Sequence, residues 1–186
     1  MTETRLISLP DGLTYRLKQG NGSPIVLLHG LTGDETVMWA FLSALPRGRP
    51  VAAPRAPFAS AGGGYSWVEG EARTVEAYAE ASSALVGLVE ALGNIPPLLV
   101  GFSQGAAMAF AATALKDVVP IAVVALSGFL PRGDLTSLRG KPVFWAHGLR
   151  DDKVPVELAR ADARRLSEAG AHVEFCESDV GHKVGV

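Results

Sequence analysis

Residues 99–110 read LVGFSQGAAMAF, an apolar run that breaks on Gly101-Phe102-Ser103-Gln104-Gly105 and continues as alanines and a methionine. A short strand-like stretch before the break and a helix-like stretch after it place one hydroxyl, flanked by glycines, at a strand-to-helix turn. Such a turn crowds the backbone, and residues without a Cβ fit beside it. The serine is then held in a strained conformation with its oxygen exposed, backed by the free N–H groups of a helix start. The plainer reading is a helix capped by serine, a common N-cap residue.

The surrounding order of segments gives that turn a location. TRLISLP and LTYRLKQ flank Asp11-Gly12, which predicts a hairpin. Short apolar runs follow (IVLLHG, PVAAP, PLLVGF, IAVVAL, PVFWAH, HVEFCE) and alternate with helix-like stretches, clearest over 71–92, 104–115 and 156–169, with a further helix over about 34–45. Strands apolar on both faces and separated by helices predict a mostly parallel central sheet with helices on both faces. Ser103 then lies at the carboxyl end of a strand, where ligands gather in such sheets. The glycine-rich stretch 56–67, APFASAGGGYSW, reads as a mobile loop rather than a linker.

Composition narrows the function classes. The chain of 186 residues, 48% hydrophobic, fits a single domain over 1–186. A formal net charge of −2 with scattered basic residues points away from nucleic acid. Absence of a signal-like start and of any long apolar stretch predicts a cytoplasmic protein with no stable membrane insertion. One cysteine, Cys176, forms no intrachain disulfide and no multi-cysteine metal cluster.

A serine nucleophile needs a base. Of four histidines, His29 precedes the serine, His147 comes before the Asp151-Asp152 pair that best supplies the acid, and His172 stands at the wrong end of its strand. His182, after the last strand, fits the order serine, acid, histidine. The acid belongs between them at a strand's carboxyl end, and GLRDDKVP supplies Asp151 and Asp152, which spacing alone does not separate. Asp134 and Asp179 are weaker candidates in turn-like surroundings. Backbone donors for a developing oxyanion are expected from Gln104, directly after the serine, and from the HGLTG turn near Leu31.

The ordered motifs LLHGLTGDE, PRAPF, YSWVEGE, GFSQGAAM, ALSGFLP, HGLRDDKVP and GHKV resemble those of the phospholipase/carboxylesterase family of α/β-hydrolases, over residue 25 to the C-terminus. The resemblance implies an α/β-hydrolase fold, ester or thioester hydrolysis of small or acyl substrates, and no cofactor or metal. It selects Asp151 over Asp152, and it implies Ser103 as nucleophile, His182 as base and the Leu31 and Gln104 N–H groups as oxyanion donors. Trp67, Phe129 and Leu130 become candidate pocket residues, each with core packing as its other reading, while Met108 and Phe110 read as core. Lysophospholipase or acyl-protein thioesterase activity, and a ligand-binding module on the same fold, are the alternatives. Two departures stand out. Ala106 replaces a glycine usual in relatives, and the chain stops soon after His182, without their final helix. The latter predicts a weakly anchored His182 loop and an apolar sheet face buried by a second copy, as a homodimer, or left bare by a shortened chain.

Overall fold

The computed structural model describes residues 4–71 and 73–183. Strands β1 (Thr4–Ser8) and β2 (Thr14–Lys18) form the hairpin announced by Asp11-Gly12, and Asp11 Oδ1 accepts the Leu13 N–H at 3.0 Å inside its turn. Then come β3 (Ile25–Leu28), β4 (Val51–Pro54), the two-residue strands β5 (Phe58–Ala59) and β6 (Tyr65–Ser66), β7 (Leu98–Phe102), β8 (Ala122–Leu126), β9 (Pro142–Gly148) and β10 (His172–Ser178). Eight of them make one sheet in the order β1-β2-β4-β3-β7-β8-β9-β10. Pairing is antiparallel from β1 to β4 and parallel from β4 through β10.

Every residue of β3 and β4 is buried, as expected for central strands covered on both faces. Side-chain alternation splits them between two apolar layers. Val26 and Leu28 face α1 (Ala79–Ala91), α2 (Gln104–Ala114) and α3 (Val156–Glu168), while Ile25 and Leu27 face Met38 and Trp39 of a 3-10 helix, Val37–Ala44. Helix α2 is buried along nearly its whole length, Met108 and Phe110 included, which explains why its sequence lacks a polar stripe. Helix α3 is the amphipathic opposite, burying Val156, Ala159, Ala163 and Leu166 at helical spacing.

Three elements differ from the sequence expectation. The helix expected over 71–92 begins later, because Thr74 is extended and pairs with Arg132, whose N–H donates to the Arg73 carbonyl at 2.8 Å. A 3-10 turn, Val75–Tyr78, then leads into α1. The helix expected over 34–45 is a 3-10 helix that stops where Leu45 turns extended before Pro46, a residue type that disfavours helix in its predecessor. Residues 56–67 fold into the β5–β6 hairpin rather than an open loop.

Among the described residues the last element is β10, and no helix is long and apolar enough to cross a membrane. The residue change at Ala106 is accommodated by packing: its methyl sits over Gly128, where a second Cβ would collide with it.

Candidate active site

Ser103 sits between β7 and α2 at φ 53° and ψ −117°, a left-handed conformation that costs a non-glycine residue about 1–3 kcal/mol. The surrounding packing enforces it. A Cβ on Gly101 would run into the backbone of Gly105, and one on Gly105 into the carbonyls of Leu28 and His29, so β7, β3 and the start of α2 approach closely only with glycine at both places. The Ser103 N–H donates to the Leu126 carbonyl at 2.9 Å, tying the turn to β8. Its hydroxyl makes no capping bond to α2. Instead Oγ lies 3.0 Å from Nε2 of His182.

His182 is carried by the turn after β10, and this turn is well held. Backbone N–H groups of Leu149 and Arg150 donate to the carbonyls of Ser178 and Val180 at 2.8 and 2.9 Å, and Arg150 Nη2 donates to the Asp179 carbonyl at 2.6 Å. The Phe102 ring packs 5.1 Å from the imidazole. The expected weakness of this loop is therefore absent: the residues directly after β9 anchor it, and Ser127 Oγ adds a bond to the Lys183 carbonyl at 3.4 Å. Asp179 itself is spent on an exposed pair with Arg150.

The other side of the imidazole meets Asp151. Nδ1 of His182 is 2.8 Å from Oδ2 and 3.0 Å from Oδ1. Oδ1 also accepts the N–H groups of Lys153 and Val154 at 2.9 and 2.8 Å. Burial pushes the Asp151 carboxyl up, but the bonds from Val154, His182 and Lys153 outweigh it and hold the group below the usual carboxylate range. An ionised carboxylate only accepts, so the His182 proton resides on Nδ1 and Nε2 is free to accept from the serine. Asp152, by contrast, points outward with its side chain 73% exposed and pairs with Lys153.

The two remaining core histidines are structural. His29 Nδ1 donates to the Gly30 carbonyl at 2.7 Å while Nε2 accepts the Ala56 N–H at 3.0 Å, and burial lowers its pKa, keeping it neutral. His147 Nε2 donates to the Val154 carbonyl at 2.8 Å and lies 3.4 Å from Asp151 Oδ2, bracing the loop that carries the acid.

A cavity of about 550 Å³ opens over Ser103 and His182, lined among others by Leu31, Gln104, Tyr78 and Phe129. Among the described residues neither the Leu31 nor the Gln104 N–H donates to a backbone carbonyl. The turn bearing Leu31 is fastened to the β5–β6 hairpin by Thr32 N–H to Tyr65 O at 3.0 Å and Tyr65 N–H to Gly33 O at 2.9 Å.

Of the three candidate pocket residues only Phe129 lines this cavity. Trp67 is fully buried, donating Nε1–H to the His29 carbonyl at 2.7 Å, so its place is in the core beneath the site. Leu130 is buried beside α3, where its N–H donates to Asp162, and it lines a neighbouring cavity instead. Sequence reasoning missed the side chain of Gln104. Its Oε1 accepts the Trp67 N–H at 3.0 Å and its Nε2 donates to Ser66 Oγ at 3.0 Å, joining α2 to the hairpin. A buried amide at a helix start, next to a Ser-Trp pair far along the chain, offers no sequence signal for that bond.

A parallel sheet entered by an antiparallel hairpin, with a serine at a left-handed turn after β7, defines an α/β-hydrolase. The chain belongs to the phospholipase/carboxylesterase family, whose sequence profile matches residues 18–185, and it is a hydrolase. It is 31% identical over 179 residues to a protein named acyl-protein thioesterase 1 from Kluyveromyces lactis, spanning 80% of this chain and 78% of that one. Among solved structures, esterase PE8 superposes with a TM-score of 0.75 at 26% identity, over 98% of this chain and 91% of that one. A carboxylesterase from Mesorhizobium loti shares the fold at a TM-score of 0.80 and 21% identity, with 97% and 93% covered.

Proposed function

We propose that this protein hydrolyses carboxylic esters through an acyl-enzyme on Ser103, with His182 as general base and Asp151 as its orienting acid. The observation that carries this reading is the imidazole of His182 bridging Ser103 Oγ at 3.0 Å and Asp151 Oδ2 at 2.8 Å. Attack of Oγ on the ester carbonyl transfers its proton to Nε2, and Asp151 stabilises the imidazolium that forms. The unpaired N–H groups of Leu31 and Gln104 are the donors for the tetrahedral oxyanion, each such donor contributing about 2.7–4 kcal/mol in related chemistry. His182 then returns the proton to the departing alcohol, and water, deprotonated by the same imidazole, cleaves the acyl-enzyme.

A thioester is attacked by the same groups, and the fungal relative's name makes thioesters the second substrate class to test. The test is labelling with a fluorophosphonate probe together with turnover of oxygen esters and thioesters of increasing acyl length. Ser103→Ala is expected to abolish labelling and to lower kcat by several orders of magnitude, on the order of a millionfold in serine hydrolases. Retention of a tenth of wild-type turnover by that variant refutes the assignment, whereas wild-type protein that binds esters without labelling or turning them over is a ligand-binding module. Faster turnover of short oxygen esters marks a carboxylesterase, and faster turnover of long thioesters a deacylase.

A further inference from the structure

The cavity over Ser103 carries polar and charged groups beside its apolar lining of Val68, Phe102, Phe129 and Val154. Tyr78 is 1% exposed and lines the cavity, yet its hydroxyl has no hydrogen-bond partner among the described residues and is not among the atoms sealed from solvent. The phenol oxygen is therefore unpaired and within reach of solvent at a residue that lines the cavity. Arg73 lines the same space, and its guanidinium stacks on the Phe129 ring at 4.8 Å. That stacking limits the side chain's freedom and leaves its N–H edge to make contacts. The backbone beneath it is fixed as well, since the Arg73 carbonyl accepts the Arg132 N–H at 2.8 Å.

The pattern of ion pairing points the same way. Among the described residues no carboxylate lies within ion-pairing distance of Arg73. Burial pushes the Tyr78 hydroxyl upward in pKa, and the Arg73 cation acts on it in the opposite sense, which places the two groups in one electrostatic neighbourhood. Two cations, Arg73 and Lys153, line the cavity against one carboxylate, Glu71, and Lys153 already pairs with Asp152 at 3.4 Å. The adjoining cavity shares Glu71, Arg73 and Phe129 and adds Arg132 and Arg165, the latter paired with Asp162 at 3.0 Å.

We infer that Arg73 and the Tyr78 hydroxyl form a subsite for an anionic group, carboxylate or phosphate, on the ester that Ser103 cleaves. A planar guanidinium held by an aromatic ring presents two parallel N–H donors to such a group, and the phenol adds a third. The inference rests on the ester-hydrolase reading and gives it a substrate class: short esters carrying a negative charge, in preference to neutral esters of equal length.

The test compares 4-nitrophenyl hydrogen glutarate with neutral 4-nitrophenyl valerate, each corrected for its uncatalysed rate. Wild-type protein is expected to favour the charged ester by at least about tenfold in kcat/KM, the scale of one hydrogen bond to a charged group. That ratio should fall to near one in Arg73→Gln, shrink severalfold in Tyr78→Phe, and stay unchanged in Arg47→Gln, an exposed arginine that lines neither cavity. Glutarate and inorganic phosphate, added as competitors against the valerate, separate the two sources by which inhibits more strongly; inhibition by neither overturns the subsite. So does a wild-type ratio near one, or a ratio that survives Arg73→Gln. Fluorophosphonate labelling of Ser103 in each variant reports that the fold is intact. Should the wild type neither label nor turn over either ester, the hydrolase reading fails on its own. Calorimetric binding of glutarate then still decides the subsite: binding lost in Arg73→Gln supports it, and equal binding in both proteins refutes it.

Discussion

At the scale of single residues, the site depends on contrasts between neighbours. Asp151 and Asp152 are adjacent and chemically identical, and spacing left them equivalent. One is drawn under the loop by two backbone N–H groups and an imidazole, while the other reaches into solvent. In the proposed mechanism Asp151→Asn keeps the shape of the side chain but loses the acceptor that holds the His182 proton on Nδ1. Its kcat should fall on the order of 10⁴-fold with the circular dichroism spectrum unchanged. Asp152→Asn should stay within a factor of about two, because an exposed pair with Lys153 contributes little. Ser103 was legible because glycines at fixed offsets announce a crowded turn. Tyr78 was not, since its value lies in an unpaired hydroxyl that only the packing reveals.

At the scale of elements, the strands of the eight-stranded sheet and the three α-helices were readable from turn signals, apolar runs and Pro155 and Gly170 as punctuation. The helix expected over 71–92 was misjudged at its start because a tertiary pairing, Thr74 with Arg132, outcompetes local propensity there. The hairpin at 58–66 was hidden by its glycines, which signal a turn but not the strands it joins. That hairpin bears on the site through Gln104, whose amide receives the Trp67 N–H. Gln104→Ala leaves this buried donor unpaired and should cost about 1–3 kcal/mol, read from the urea midpoint. Gln104→Glu keeps the acceptor for Trp67 but removes the donor to Ser66, and should recover part of the loss. An unchanged midpoint in Gln104→Ala would mean that the hairpin is held by its backbone bonds to Thr32 and Gly33 alone.

For the molecule as a whole, stability should fall with acid in two stages. Burial keeps the His29 pKa below its unfolded value, so the unfolded chain binds the extra proton and stability declines once the pH drops below about 6.5. The second stage comes from carboxylates held below their ordinary values. Glu35, gripped by Arg55 at 2.7 and 3.0 Å, and Asp151 contribute stability that is fully present above about pH 5 and is lost as pH falls through their lower folded values. Urea midpoints measured from about pH 7 to pH 3 should trace both declines, and Glu35→Gln should flatten only the lower one. A midpoint independent of pH would contradict both assignments.

The sheet order has a further consequence for how the protein acquires its chemistry during folding. Ser103 and His182 are separated by 79 residues along the chain, and His182 and Asp151 by 31. The turn bearing His182 is fastened to the residues directly after β9 and, through Ser127 Oγ and the Lys183 carbonyl at 3.4 Å, to those after β8, so the three groups converge when β10 docks in parallel register, a long-range pairing of the kind that forms slowly. Helix content can return well before that docking. Ester turnover would thus report completion of the sheet's last parallel pairing, and a chain that has regained its helices but not its final strand would look folded to far-ultraviolet light while remaining chemically silent.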